Sequence, residues 1–324
     1  MRWTLLTAAL SLGLLAPAGA LASGGPVQPV QGSSSIRAVG SPFWYAAFGS
    51  GGDTIVKRLT GAGGQSGAAL RVSGHYGIPG VDYSGSMTGL SANGRTLVLA
   101  EVSSSGVPRT TRLLVLDTPR LAVRTRLALP GWSTVDAISP DGRWLYLIHY
   151  LSSDVTRYEV RAYDLVDHLL LAKPVVDPQD RGEAMTGFPV TRVMSAGGRW
   201  AYTLYTRPSG VPFVHALDTS GRRAVCVDLP SLGNADIGNA RLRLASGGAT
   251  LQIDTGGLTP TLIDTRTFAV TPAAGDTPAP AQSAQHRVSG SGGPGVPWEL
   301  IALPIAALAV LFAAARRATR PRVT

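Results

Sequence analysis

At 324 residues the chain has material for one large domain or two ordinary ones, and with 44% hydrophobic residues it can bury a proper core. Its net charge of +9 does not mark a nucleic-acid binder: Arg2 and the arginines at 316, 317, 320 and 322 supply most of the excess, and no basic run with interleaved aromatics occurs between them. The single cysteine, Cys226, excludes an intramolecular disulfide, and its place in an apolar-alternating segment far from the N-terminus excludes a lipid-modified N-terminal cysteine; a buried, inert thiol is expected.

The first 22 residues have the layout of a secretory signal. Arg2 precedes an apolar run over 5–15, and Ala18, Ala20 and Ala22 supply the small-residue cleavage site. Residues 23–35 are then a linker. A first, divergent unit is expected from Ile36 to Val72, with 43–48 and 54–59 as its second and third strands.

From there two markers repeat about every 50 residues, the length of a propeller blade. The first is a Ser-x-x-Gly-Arg turn, Ser91 to Arg95, Ser139 to Arg143 and Ser195 to Arg199, with a degraded copy at Ser246; apolar runs follow over 96–100, 144–149, 200–205 and 250–254. Asn-Gly, Asp-Gly and Gly-Gly supply the positive φ that a tight hairpin needs. The second marker is an Asp closing a later strand, Asp117, Asp164, Asp218 and Asp264, after which another short apolar segment completes four strands per unit. The expected fold is all-β: a propeller of about five four-stranded blades over 36–271.

Ser-Pro-Asp-Gly-Arg-Trp-Leu-Tyr at 139–146 resembles the blade motif of bacterial WD40-like, TolB-like and YncE-like propellers. The resemblance implies architecture and leaves chemistry open, since such folds host both protein-binding scaffolds and enzymes. The Gly-His and Trp-Asp landmarks of true WD40 repeats are absent.

After the repeats, 272–297 is rich in Pro, Ala, Gly and Ser and reads as a stalk. Residues 298–315 carry one charge, Glu299, and suffice for a transmembrane helix; the arginines after it place the basic tail, 316–324, in the cytoplasm and the propeller outside. The membrane is therefore an expected partner.

Signatures of the usual hydrolases, metal sites, phosphate loops and dinucleotide folds are missing, and neither cofactor nor metal is expected. Propeller sites are assembled from single residues on separate blades, so candidates are read by position in the repeat. Three places before the turn serine, on the innermost strand, stand Thr88, Asp136, Arg192 and Arg243. One reading pairs Asp136 with Arg192 or Arg243; another makes the arginines receptors for an anion. His149 closes its strand at an equivalent place. The longest loop, 177–188, holds Asp177, Asp180 and Glu183, in no calcium-loop spacing, and reads as solvated. His75, Tyr76, Asp82, Tyr83 and Trp132 add polar and aromatic surface. The reading is a binding module for an extracellular protein, glycan or small molecule; the alternative is a lactonase- or esterase-type hydrolase with an axial site.

Overall fold

Each apolar run between the markers forms a strand, and the strands fall into five successive antiparallel meanders. The computed structural model describes residues 26–271 except 33, 62–64, 104–106, 181, 183, 208–209, 234 and 258. The expected signal peptide, stalk, membrane span and tail lie outside the described residues. Among the described residues no helix is long and apolar enough to cross a membrane.

Blade 1 is β1 (Ser35–Ile36), β2 (Phe43–Ser50), β3 (Asp53–Thr60) and β4 (Gln65–Ser73). Blade 2 is β5 (Tyr76–Gly77), β6 (Thr96–Glu101), β7 (Thr110–Asp117) and β8 (Ala122–Pro130). Blade 3 is β9 (Ser133–Ile138), β10 (Trp144–Tyr150), β11 (Arg157–Asp164) and β12 (Leu169–Leu170), with β13 (Met185–Thr186) on the other end of β11. Blade 4 is β14 (Phe188–Met194), β15 (Trp200–Thr206), β16 (Phe213–Asp218) and β17 (Arg223–Asp228). Blade 5 is β18 (Arg241–Ala245), β19 (Thr250–Asp254), β20 (Thr261–Asp264) and β21 (Val270–Thr271). The architecture is an all-β propeller of five blades.

Strand sequence follows position within the blade. In β7, Leu113 to Leu116 are all buried, because a middle strand is covered by a neighbouring blade on each face. β8 alternates instead, with Leu127 and Leu129 buried and its arginines in or near water. The core is accordingly a series of layers between consecutive blades. Tyr45 and Val56 meet Leu97 and Leu114 between blades 1 and 2; Val98 and Leu113 meet Leu145 and Leu147 between blades 2 and 3. Tyr146 and Val160 meet Ala201 and Leu217 between blades 3 and 4, and Leu204 and Val214 meet Leu251 and Ile253 between blades 4 and 5.

The two sequence markers are one structural clasp. In blade 3, Ser139 Oγ donates to Asp141 Oδ1 (2.5 Å) and accepts from Trp144 N (2.8 Å), while the Arg143 side chain reaches Asp164, the second marker, at 2.7 Å. Blade 4 repeats the ion pair as Arg199 and Asp218 (3.0 Å). Gly142 has φ +79°, and a Cβ there would lie 2.4 Å from Thr96 Oγ1, so the turn also fits blade 3 against blade 2.

Blade 5 corrects the sequence alignment. Thr265 N donates to Ala249 O, as Thr219 N does to Arg199 O, and the pairing is Ala245 with Thr250. Ala245, not Ser246, therefore stands in the place of Ser195, and the residue equivalent to Arg192 is Leu242, buried against blade 4. A slip of one residue turns every side chain to the opposite face of a strand.

Candidate functional site

The axis is closed by an internal ion pair. β9 carries a bulge: Tyr146 pairs with Ala137 and Leu147 with Val135, leaving Asp136 as the extra residue. The bulge presents Asp136 to blade 4, where both Asp136 Oδ1 and its carbonyl oxygen accept hydrogen bonds from the Arg192 guanidinium. Arg192 Nε donates to Thr203 Oγ1 (2.8 Å) and Thr88 Oγ1 donates to Asp136 O (3.2 Å), so blades 2, 3 and 4 meet at one acid. The side chains of Arg192 and Asp136 are 3% and 1% exposed. A cavity of about 160 Å³ beside Arg192 therefore meets almost none of its charge.

Two segments fill the rest of the centre. Between β5 and β6 the chain makes an excursion over 79–88 that crosses to blade 4: Tyr83 N donates to Pro189 O and Ser84 N to Val190 O, both at 3.1 Å. Asp82, buried, shapes it by accepting from Ser84 Oγ (2.8 Å) and Ser86 N (2.9 Å). A strap over 26–32 lies across the same end, with Val30 N bonded to Ile78 O (2.7 Å) and Gly32 N to Ala47 O (2.9 Å). Only about 20 Å³ remains between this strap and Tyr83, Tyr150, Phe188 and Tyr205, enough for about one water.

The remaining candidates lie elsewhere. Arg243 is exposed at the face of blade 5 turned away from blade 4 and pairs with Asp254 (3.4 Å); it is not axial, for the register reason given above. His149 Nδ1 is 3.0 Å from Ser133 Oγ, on its own blade. Trp132 packs against Tyr150 with ring centroids 5.0 Å apart and the planes tilted by 44°. Glu183 lies outside the described residues. Tyr76 and Asp82, expected at the surface, are buried, since Tyr76 packs between blades 1 and 2. Asp177 is buried rather than solvated: Oδ2 accepts from Cys226 N (2.8 Å) and Oδ1 from Gln179 N (2.9 Å), tying the long loop to blade 4.

Sequence reasoning missed His215. It faces the layer between blades 3 and 4, in the pairing row Arg192, Thr203, His215, Cys226. Burial lowers its pKa to about 4, with Arg192 adding to the effect and Asp136 opposing it, so the ring is neutral near pH 7. Its Nε2 has no partner among the described residues. Beside it, Cys226 is half-buried rather than fully buried, and burial, then a hydrogen bond to Asp180, push its thiol far above the usual range, which suits an inert thiol. Asp177, Asp180 and Cys226 present ligand atoms within 4.8 Å of one another, but Asp177 is occupied by backbone donors.

A larger space lies at the rim. Blade 3's outermost edge is split: β12 covers one end of β11 and β13 the other, and between them Leu171 N and Val175 N bond to Ala162 O and Val160 O. Between this chain, β11 and the β16–β17 turn runs a groove of about 650 Å³, lined by Leu151, Pro174 and Val176 and by four cations, Arg157, Lys173, Arg222 and Arg223. The one signal for it in sequence is the Arg-Arg pair four places after Asp218.

No protein-family model matches the chain, and no curated protein matches it. Solved structures similar to it include TolB from Acinetobacter baumannii, at 11% identity and a TM-score of 0.44, over 72% of this chain and 51% of that one. Others are the Cps50 (Swd1) β-propeller domain of Myceliophteria thermophila, at 13% identity and 0.42 over 74% and 68%, and a prolyl endopeptidase, at 14% and 0.45 over 75% and 35%. The chain spans about half the length of that TolB. The five four-stranded blades are those expected from the repeats.

Proposed function

We propose that the chain is an extracytoplasmic binding module, a propeller held at the membrane by a helix over 298–315 and presenting its surface to a ligand. The observation that supports recognition over axial catalysis is the closure of the centre. A lactonase- or esterase-type site would need an acid or base free to meet substrate there. Asp136 is instead buried against Arg192, its side chain 1% exposed. Polar and charged groups accessible to a partner lie on loops and at the rim, where recognition residues usually sit.

The experiment is a pair of reporter fusions combined with an activity screen. A reporter active only in the cytoplasm works when fused after Thr324 and fails when fused within 272–297, and the purified chain turns over no aryl ester or lactone. The inverse fusion pattern, or turnover abolished by Asp136→Asn, rejects the reading.

A further inference from the structure

The rim groove between blades 3 and 4 has definite ends and charge. Its ends are set by Arg157, at the start of β11, and by Arg222, which lies over Trp144 (4.3 Å). The cations are spaced along the groove. Arg157 marks one end and Arg222 with Arg223 the other. Lys173 lies between, projecting from the chain whose Leu171 N and Val175 N bond to Ala162 O (2.9 Å) and Val160 O (2.7 Å). Among the described residues the acid in the lining, Glu159, is taken by Arg161 (3.0 Å), and Arg157, Lys173 and Arg222 have no ion-pair partner. A concave surface with like charges left unneutralised concentrates positive potential.

The outer wall is also built in advance. Asp177 accepts from Cys226 N and Gln179 N, and Asp180 N closes a turn onto Asp177 O (3.0 Å), so residues 177–180 are held against blade 4 before any ligand arrives. The rest of the lining is aliphatic, with Leu151, Pro174 and Val176 and, among the described residues, no aromatic ring. Sugar faces and nucleobases bind best on aromatic platforms, whereas alternating carboxylates and aliphatic side chains match this lining.

We propose that this groove binds an extended acidic segment of a partner polypeptide, its carboxylates meeting Arg157, Lys173 and Arg222 and its aliphatic side chains lying on the aliphatic lining. The proposal rests on the binding-module reading and names its ligand class.

The test is fluorescence anisotropy of the full-length chain with a labelled peptide of alternating Glu and Val, about seven residues long. Saturable binding that weakens as salt is raised is expected. Arg157→Glu combined with Lys173→Glu weakens it about tenfold or more, while Arg266→Glu on blade 5 leaves it unchanged, as both variants melt like the parent. Three results overturn the proposal: equal binding by the double variant, equal binding of an alternating Lys and Val peptide, or preference for a polyuronate over the acidic peptide. If no probe binds while the reporter fusions still place the domain outside the membrane, the groove assignment fails and the module reading stands.

Discussion

His215 is the residue whose burial has the clearest consequence in solution. It sits between an apolar layer containing Ala201 and Leu217 and another containing Tyr205 and Phe213, and its pKa of about 4 lies below that of an unfolded histidine. As pH falls from about 6.5 toward 4, the unfolded chain therefore takes up a proton that the folded chain refuses, and stability is lost across that window. The loss amounts to a few kcal/mol at most, on the order of 1.4 per pH unit. Urea unfolding between neutral and mildly acid pH shows this slope in the parent, and His215→Leu flattens it; an unchanged slope in that variant assigns the pH dependence to other groups. Nothing in the sequence around Phe213 to Asp218 distinguishes this histidine, because its burial depends on blade 3 packing over it. Asp136 and Arg192 were more legible, standing at equivalent places on successive inner strands. Arg243 was not, since Ser246 imitates the turn serine one residue late.

Among the elements, the turns from third to fourth strand repeat most faithfully. Leu121, His168, Arg222 and Phe268, each four places after the marker Asp, all have φ between +48° and +60°. The Asp fixes the turn: Asp164 Oδ1 accepts from Val166 N and Asp167 N, and Asp264 Oδ1 from Arg266 N and Thr267 N. Burial alone would raise the Asp164 pKa, but Arg143 and these N–H groups outweigh it and bring it to about 2. Leu121 is buried, Phe268 packs on Trp200 and Arg222 covers Trp144, so their side chains earn the strained backbone. His168 is exposed and does not. His168→Gly is therefore expected to raise stability by about 0.5–1 kcal/mol in urea melts, and a loss would show that the ring has a role in the turn. These turns were readable because Asp and Gly report backbone geometry directly. The excursion over 79–88 and the split edge of blade 3 were not, because neither carries a hydrophobic period and both are held by distant hydrogen bonds.

For the whole molecule, layers between consecutive blades carry the core, and the centre is sealed by a pair that links blades 3 and 4 with Thr88 of blade 2 beside it. Under the proposed function this pair is a structural fastening and recognition lies at the rim. A buried pair is weak evidence for stability in itself, since both charges are desolvated, but removing one partner strands the other. The decisive measurement is a double-mutant cycle on denaturant stability, with Asp136→Ala, Arg192→Ala and the double variant, each with and without a panel of carboxylates and phosphates. The expected result is a loss of about 3–5 kcal/mol for Asp136→Ala, a double variant less destabilised than the two single losses combined, and no stabilisation by any anion that depends on Arg192. Additive losses, or an anion that stabilises the parent and not Arg192→Ala, would contradict it.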